Sequence, residues 1–362
     1  MKKTRLALAL ASCLVAGSAM AQSSVTISGL VDAFAGSMKN SGDTGGKASV
    51  GSGGLTTSWI GFKGTEDLGG GLKAEFALTS FFQTDTGAYG RFAGDNLFSR
   101  DANIALAGSY GRVMLGRGLA PSFLPTVLFN PFGDSFTFSP LVLHVYTPSG
   151  NFGARSWTQA NAADSGWSNE IIYTTPKFGG LQANLHYQLG EVAGQTGKKN
   201  IGVNALYFNG GLALTGLYFD AQVSNPNSGS AIIDATAPFA SITRQKTWMA
   251  GATYDFKVVK LYGTFQSSKD TTNGNPQAKD KVYSVGLSAP VGNGSILAGF
   301  ARTKRTGDLL ASTSGDVSRN TTSVGYDYFL SKRTDVYAIV MNDKISTQSN
   351  ATSFGVGIRH RF

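Results

Sequence analysis

Along most of this 362-residue chain, apolar and polar positions alternate one for one. In "GLQANLHYQLGE", Leu181, Ala183, Leu185, Tyr187 and Leu189 interleave with Gln182, Asn184, His186 and Gln188. In "TWMAGATYDF", Trp248, Ala250, Ala252, Tyr254 and Phe256 stand against Thr247, Met249, Gly251, Thr253 and Asp255. The C-terminal "ATSFGVGIRHRF" repeats the pattern, with Phe354, Val356, Ile358, His360 and Phe362 on one side and Ser353, Gly355, Gly357, Arg359 and Arg361 on the other. Side chains of an extended strand point alternately to its two faces, so period two marks strands whose faces meet different surroundings. The runs are about 9–11 residues long, which is the length of a tilted strand that crosses a bilayer.

The connectors alternate in length too. Short ones fall near 67–71, 109–111, 209–211, 291–294 and 331–333. Longer polar stretches fall near 36–54, 83–96, 119–165, 191–199, 224–243, 270–279, 305–319 and 344–350. Tight turns at one end and long loops at the other are the wiring of an up-and-down antiparallel barrel. Counting runs predicts an all-β chain, a 16-stranded antiparallel transmembrane β-barrel with eight long loops and seven short turns. The last strand is expected to close against the first, "SVTISGLVDAF", because an open edge in hydrocarbon leaves backbone groups unpaired. A soluble sandwich seldom reaches this length as one unit, and no blade repeat of ~40–50 residues marks a propeller.

Composition sharpens this reading. "MKKTRLALALASCLVAGSAMAQ" has Lys2, Lys3 and Arg5 before an apolar stretch and Ala19-Met20-Ala21 as a cleavage site, so residues 1–21 are expected to be a secretory leader and 22–362 the barrel. A lipoprotein-type box ending at Cys13 is the competing reading of the same segment. Cys13 is the only cysteine, which leaves the mature chain without disulfide, thiolate metal site or cysteine nucleophile. Glycine is high, at 47 residues, and charged residues make up only 15%. The formal charge falls from +9 to +6 once the three leader cations are removed.

Four segments then carry a family resemblance: "SWIGFKGTEDLGGGLKAEFALTSFF", "LFSRDANIALAGSYGRVMLGRG", "NEIIYTTPKFGGLQANLHYQLGE" and the terminal "GVGIRHRF". Together they resemble the Gram-negative general porins over the whole mature chain. The resemblance implies a homotrimer in the cell outer membrane, with lipid and lipopolysaccharide around it and small hydrophilic solutes passing through it. It implies that the third long loop, about 119–165, folds inward as a constriction. "FNPFGDSF" resembles the core of that loop, with Phe132 and Asp134 in place, while the acid usual between Pro131 and Phe132 is missing. It also makes Phe362 the signal read by the barrel-assembly machinery; the simpler role for Phe362 is an aromatic at the membrane interface.

The expected constriction is part family carry-over and part parity. Arg100 matches a wall arginine of the family, whereas Trp59 and Gly166 stand where further arginines are expected, and Thr79 where an acid is common. Parity turns Trp59, Lys63, Lys73, Glu75 and Asp32 inward, and Arg155 within the long loop is a further candidate cation. A single lumen charge about 7 Å from a passing ion in water contributes roughly 0.6 kcal/mol, so a weak anion preference is expected.

His144, His186 and His360 lie far apart, so no metal or cofactor is expected. Catalytic motifs are missing and basic residues are scattered rather than striped, so neither an enzyme nor a nucleic-acid binder is expected. Two alternatives stay open: a solute-specific channel with a site near Trp59, and a non-conducting surface barrel serving as adhesin or enzyme.

Overall fold

The computed structural model describes residues 24–92, 94–146, 164–223, 242–307 and 316–362. The expected leader with Cys13, and Arg155, lie outside the described residues. The described strands, in chain order, are β1 (Ser24–Met38), β2 (Lys47–Ser52), β3 (Trp59–Gly69), β4 (Leu72–Phe81), β5 (Asp101–Gly108) and β6 (Gly111–Leu119). After the third long loop come β7 (Gly166–Thr174), β8 (Leu181–Leu189), β9 (Lys199–Asn209), β10 (Leu212–Ala221), β11 (Arg244–Asp255) and β12 (Lys260–Thr272). The series ends with β13 (Asn275–Val291), β14 (Gly294–Thr306), β15 (Val317–Phe329), β16 (Thr334–Ile345) and β17 (Ala351–Arg361).

Neighbouring strands pair antiparallel around the whole sheet, and β1 returns to β17 from Leu30↔Arg361 to Ser37↔Phe354. Reciprocal backbone bonds between Gly29 and Phe362, both 3.1 Å, finish the seam. The sheet is therefore a closed barrel. Its outward positions are the apolar ones of the alternating pattern: Ile60, Phe62, Ile104, Leu106, Leu185, Val324 and Val356 are all exposed. Aromatics gather in two girdles on this outer face. Phe265 lies 5.0 Å from Trp248 and 4.9 Å from Tyr283 between ring centroids, and Tyr254 and Phe256 are 4.5 Å apart nearer the short-turn end. An apolar band between aromatic girdles is the exterior of a transmembrane barrel.

Two details depart from the expected wiring. The second barrel strand is split: β2 and β3 both pair with β1, and residues 53–58 leave the ladder between them. Sixteen barrel strands therefore appear as seventeen segments. The stretch near 270–279, expected as a long loop, is a tight hairpin in which Thr272 pairs with Asn275. Asn273 and Gly274 have φ of 49° and 87°, the left-handed pair that a two-residue hairpin turn requires.

Candidate functional site

The first part of the third long loop, residues 120–146, lies inside the barrel. It carries two short helices, α1 (Phe123–Val127) and α2 (Pro140–Val145), with Ser139 capping the second by accepting from Val142 N. The loop docks on one half of the wall through an apolar underside. Phe132, Phe138 and Leu143 bury against Phe34, Leu55, Leu297, Tyr337, Ile339 and Met341. Leu141, Val142 and Val145 bury against Trp167, Leu217, Phe219, Met249 and Val282. Fully burying one such side chain stabilises docking by about 1.5–3 kcal/mol, so a handful of them holds the loop against its lost chain entropy.

Polar contacts fix its height. Ser323 Oγ donates to Phe138 O at 2.7 Å, Arg319 Nη1 to Leu143 O at 3.3 Å, and Ser135 Oγ to Gly54 O at 2.6 Å. The His144 ring is buried, with Nδ1 2.7 Å from Thr303 Oγ1 and Nε2 2.8 Å from Thr321 Oγ1. Two wall positions admit no side chain under the loop. A Cβ on Gly202 would fall 2.3 Å from Pro121 Cγ, and one on Gly286 would fall 2.6 Å from Pro131 Cδ.

The other half of the wall is left uncovered. Between it and α1 lies a cavity of about 400 Å³ lined by Lys63, Glu75, Asp101, Asn103, Arg112 and Asn184, among others. Arg100, Trp59 and Lys63 form one group above it. The Arg100 guanidinium sits over the Trp59 indole and Lys63 Nζ lies on the same ring more distantly. Arg100 Nη1 is 3.4 Å from Asp101 Oδ2, and Thr79 Oγ1 donates to that carboxylate at 2.6 Å. On the loop side, Asp134 lies in the fields of Arg100 and Arg359.

Four candidates fall elsewhere than expected. Asp32 points inward but is wholly buried: its carboxylate accepts from the backbone N of Gly54, Leu55 and Thr56 at 3.0, 2.9 and 2.8 Å, and from Tyr337 Oη. It holds the break between β2 and β3 in place of ladder bonds and presents no charge to the passage. Lys73 is eight positions down β4 from Phe81, the partner of Trp59, or about 27 Å along the strand, at the short-turn mouth opposite Asp67. Glu75, two residues above it, forms a 2.7 Å ion pair with Arg112 in the lower lumen. Phe132 lies on the loop's buried underside and does not face the passage.

Other charges were not singled out from the sequence. Arg359 donates to Asp335, Thr56 and Asp327 at 3.0, 2.8 and 3.1 Å, joining the last strand to the loop side of the passage. Arg117 fills the room left by Gly166: a Cβ there would lie 3.3 Å from Arg117 Nη2. Its guanidinium donates to Ser99 O and Ser168 Oγ at 2.6 and 2.9 Å. In the same way Asp101, directly across from Thr79, supplies an acid on the neighbouring strand. Register was the signal available for both, since each pair shares a face across one ladder. Arg91, in the second long loop, binds Asp95 Oδ2 at 2.8 Å and also Asp164 at the end of the third, tying the two loops together. Burial alone would raise the Asp95 carboxyl, but the Arg91 guanidinium overrides it and holds the pKa below the ordinary carboxylate value.

Comparisons with known proteins point one way. A family model described as Gram-negative porin matches residues 7–348. The chain is 32% identical to the outer membrane porin protein 32 of Delftia acidovorans, over 100% of both chains. It is 30% identical to an outer membrane porin protein of Bordetella pertussis, again over 100% of both. Among solved structures, it superposes on an anion-selective porin from Comamonas acidovorans with a TM-score of 0.74 and 27% identity, covering 94% of this chain and 100% of that one.

Proposed function

The chain belongs to the Gram-negative porin family and is an outer-membrane channel, and from that premise we propose a weakly anion-preferring pore narrowed by its third loop. Small hydrophilic solutes cross by passive diffusion through the uncovered half of the lumen. Loop 119–165 sets the size limit, and Arg100, Lys63 and Asp134 bias charge at the narrow level.

One observation carries the preference. The acids of the uncovered wall are matched, Glu75 by Arg112 and Asp101 by Arg100, and Asp134 on the loop lies in the fields of Arg100 and Arg359, whereas Lys63 has no carboxylate partner among the described residues. Paired charges largely cancel at a distance, so the unmatched cation dominates what a passing ion meets. The anion-selective relative from Comamonas acidovorans supports the same sign. Trp59 acts here as the support that holds Arg100 in place. The rival role, a stacking site for aromatic solutes, competes with that contact, because a solute ring on the covered face has to displace the guanidinium.

Further parts of the reading follow the family. The working unit is a homotrimer, residues 1–21 direct export, Phe362 is read by the barrel-assembly machinery, and the outer face meets lipid and lipopolysaccharide. Family membership supports a channel rather than an enzyme. Single-channel current in a planar bilayer tests the proposal, with the reversal potential recorded across a KCl gradient. Steps closing in thirds with a modest anionic potential are expected. A cation-selective potential would overturn the selectivity, and absence of conductance from folded protein would overturn the pore.

A further inference from the structure

The Glu75–Arg112 ion pair in the lower lumen leaves half of its bonding groups unused. It spans β5 at a place kept clear by short side chains: Glu75 stands directly opposite Ala105, and Arg112 directly opposite Ala107. Only Arg112 Nε and Glu75 Oε2 meet, at 2.7 Å. Among the described residues, Arg112 Nη1 and Nη2 and Glu75 Oε1 have no hydrogen-bond partner. The two side chains are 31% and 30% exposed. An ion pair this open adds little to stability, and a matched pair adds little to charge bias. Neither the fold nor the passage of salt accounts for it.

Its surroundings are those of a pocket. The pair lies on the cavity of about 400 Å³ beneath α1, and Glu75 is six positions down β4 from Phe81, or about 20 Å along the strand. Cations and acids on the lining are equal in number, Lys63 and Arg112 against Glu75 and Asp101. Met114 is the next inward residue of β6 after Arg112, and it stands directly opposite Ile172. These two cluster with Ala105 and with no residue of the docked loop, so the loop's apolar underside does not explain them. Leu124 of α1 lines the same cavity.

From this geometry we propose that the cavity binds an α-amino acid with an apolar side chain, as the zwitterion. The carboxylate takes the free guanidinium edge of Arg112 and the ammonium takes Glu75 Oε1, so four charges alternate in a closed ring. Paired N–H donors on a carboxylate fix the orientation of the head group. The side chain then lies toward Met114, Ile172 and Leu124. A plain carboxylate would meet Glu75 without a counter-charge, and a plain amine would meet Arg112 in the same way; a zwitterion satisfies both. The site rests on the pore reading, because an amino acid reaches this cavity through the lumen.

The test adds L-phenylalanine to single channels in a planar bilayer at neutral pH and reads the concentration giving half-maximal block. Calorimetric titration of the same folded protein in detergent runs alongside. Saturable block is expected, strengthening from glycine through alanine to leucine and phenylalanine. N-acetyl-phenylalanine lacks the ammonium and phenylalaninamide lacks the carboxylate; each should need at least about a tenfold higher concentration. Glu75→Gln and Arg112→Gln should each weaken phenylalanine by a similar factor, and the double change should be little worse than either, since the ring is broken only once. Block that never saturates, equal affinity for either analogue, or unchanged affinity in Glu75→Gln would each overturn the site; the analogue series on wild type decides the matter even where a variant does not fold. Conductance without calorimetric binding would overturn the site and leave the pore standing. Binding without conductance would overturn the pore and leave the site.

Discussion

The Arg100 guanidinium lies 4.2 Å from the centroid of the Trp59 ring, with Lys63 Nζ 5.9 Å from the same centroid. An indole thus occupies the place where the family resemblance led one to expect another arginine, and it gathers two cations instead of adding one. A cation over an aromatic face gains about 0.5–2 kcal/mol, enough to favour one arrangement of a flexible side chain.

Trp59→Arg should therefore raise anion preference. One added charge about 7 Å from the ion path contributes roughly 0.6 kcal/mol, a change of about threefold in the anion-to-cation permeability ratio. Trp59→Ala should lower the preference, because Arg100 loses the indole that fixes it and is free to tighten its 3.4 Å contact with Asp101. Reversal potentials across a salt gradient measure both, and no change in either would remove Trp59 from the selectivity argument.

Asp32 and Asp134 should separate cleanly when each is changed to asparagine. Asp32→Asn weakens a buried network of three backbone donors and a tyrosine hydroxyl, with an expected loss on the order of 3 kcal/mol. Its heat-unfolding transition on gels should fall, with the ion selectivity of the surviving channels unchanged. Asp134→Asn should do the reverse, shifting the potential further toward anions with little change in heat stability.

Gly286→Val places side-chain atoms where the Pro131 ring now rests. The loop must lift from the wall into the lumen, so single-channel conductance should fall. Gly263, one strand away with nothing within 4 Å of a built Cβ, is the control: Gly263→Val should conduct like wild type.

His144, on the docked loop, is held neutral: burial, with the Arg319 charge adding, keeps its pKa well below the usual imidazole value. An undocked loop would take up a proton near pH ~6.5, before the docked one does. The stabilisation from this group is therefore complete above about pH 6.5 and is lost progressively as pH falls below it. Channels should close or flicker more at about pH 4.5 than at about pH 7.5, and His144→Gln should flatten the difference. An identical pH response in the variant would place the sensor elsewhere.

Barrel, strand number and facing were legible in the sequence because a wall between lipid and water imposes period two on every strand, as in Leu181–Leu189. The path of the loop was not. Its footprint is written as apolar residues on the inward face, and Met249 among Thr247, Gly251 and Thr253 looks like noise until Leu217, Phe219 and Val282 are seen beside it. Those residues are spread over three strands, β10, β11 and β13, so only the ladder brings them together. The hairpin at Asn273-Gly274 was hidden for another reason: its strands continue past the membrane as polar sequence, where alternation no longer shows. Arg117 and Asp101 show the same limit, since charge expected at Gly166 and Thr79 has moved sideways onto a paired strand rather than along the chain.

The seam between Gly29 and Phe362 has a kinetic consequence. It joins the first strand to the last, the pair most distant in sequence, so its loop-closure entropy is the largest in the sheet. Until that pair forms, every intermediate is an open sheet with two exposed edges and a greasy outer face, the form most prone to stick to another copy. Export must therefore deliver this chain with those edges shielded by something other than itself, and the escort can let go only once the two ends have met.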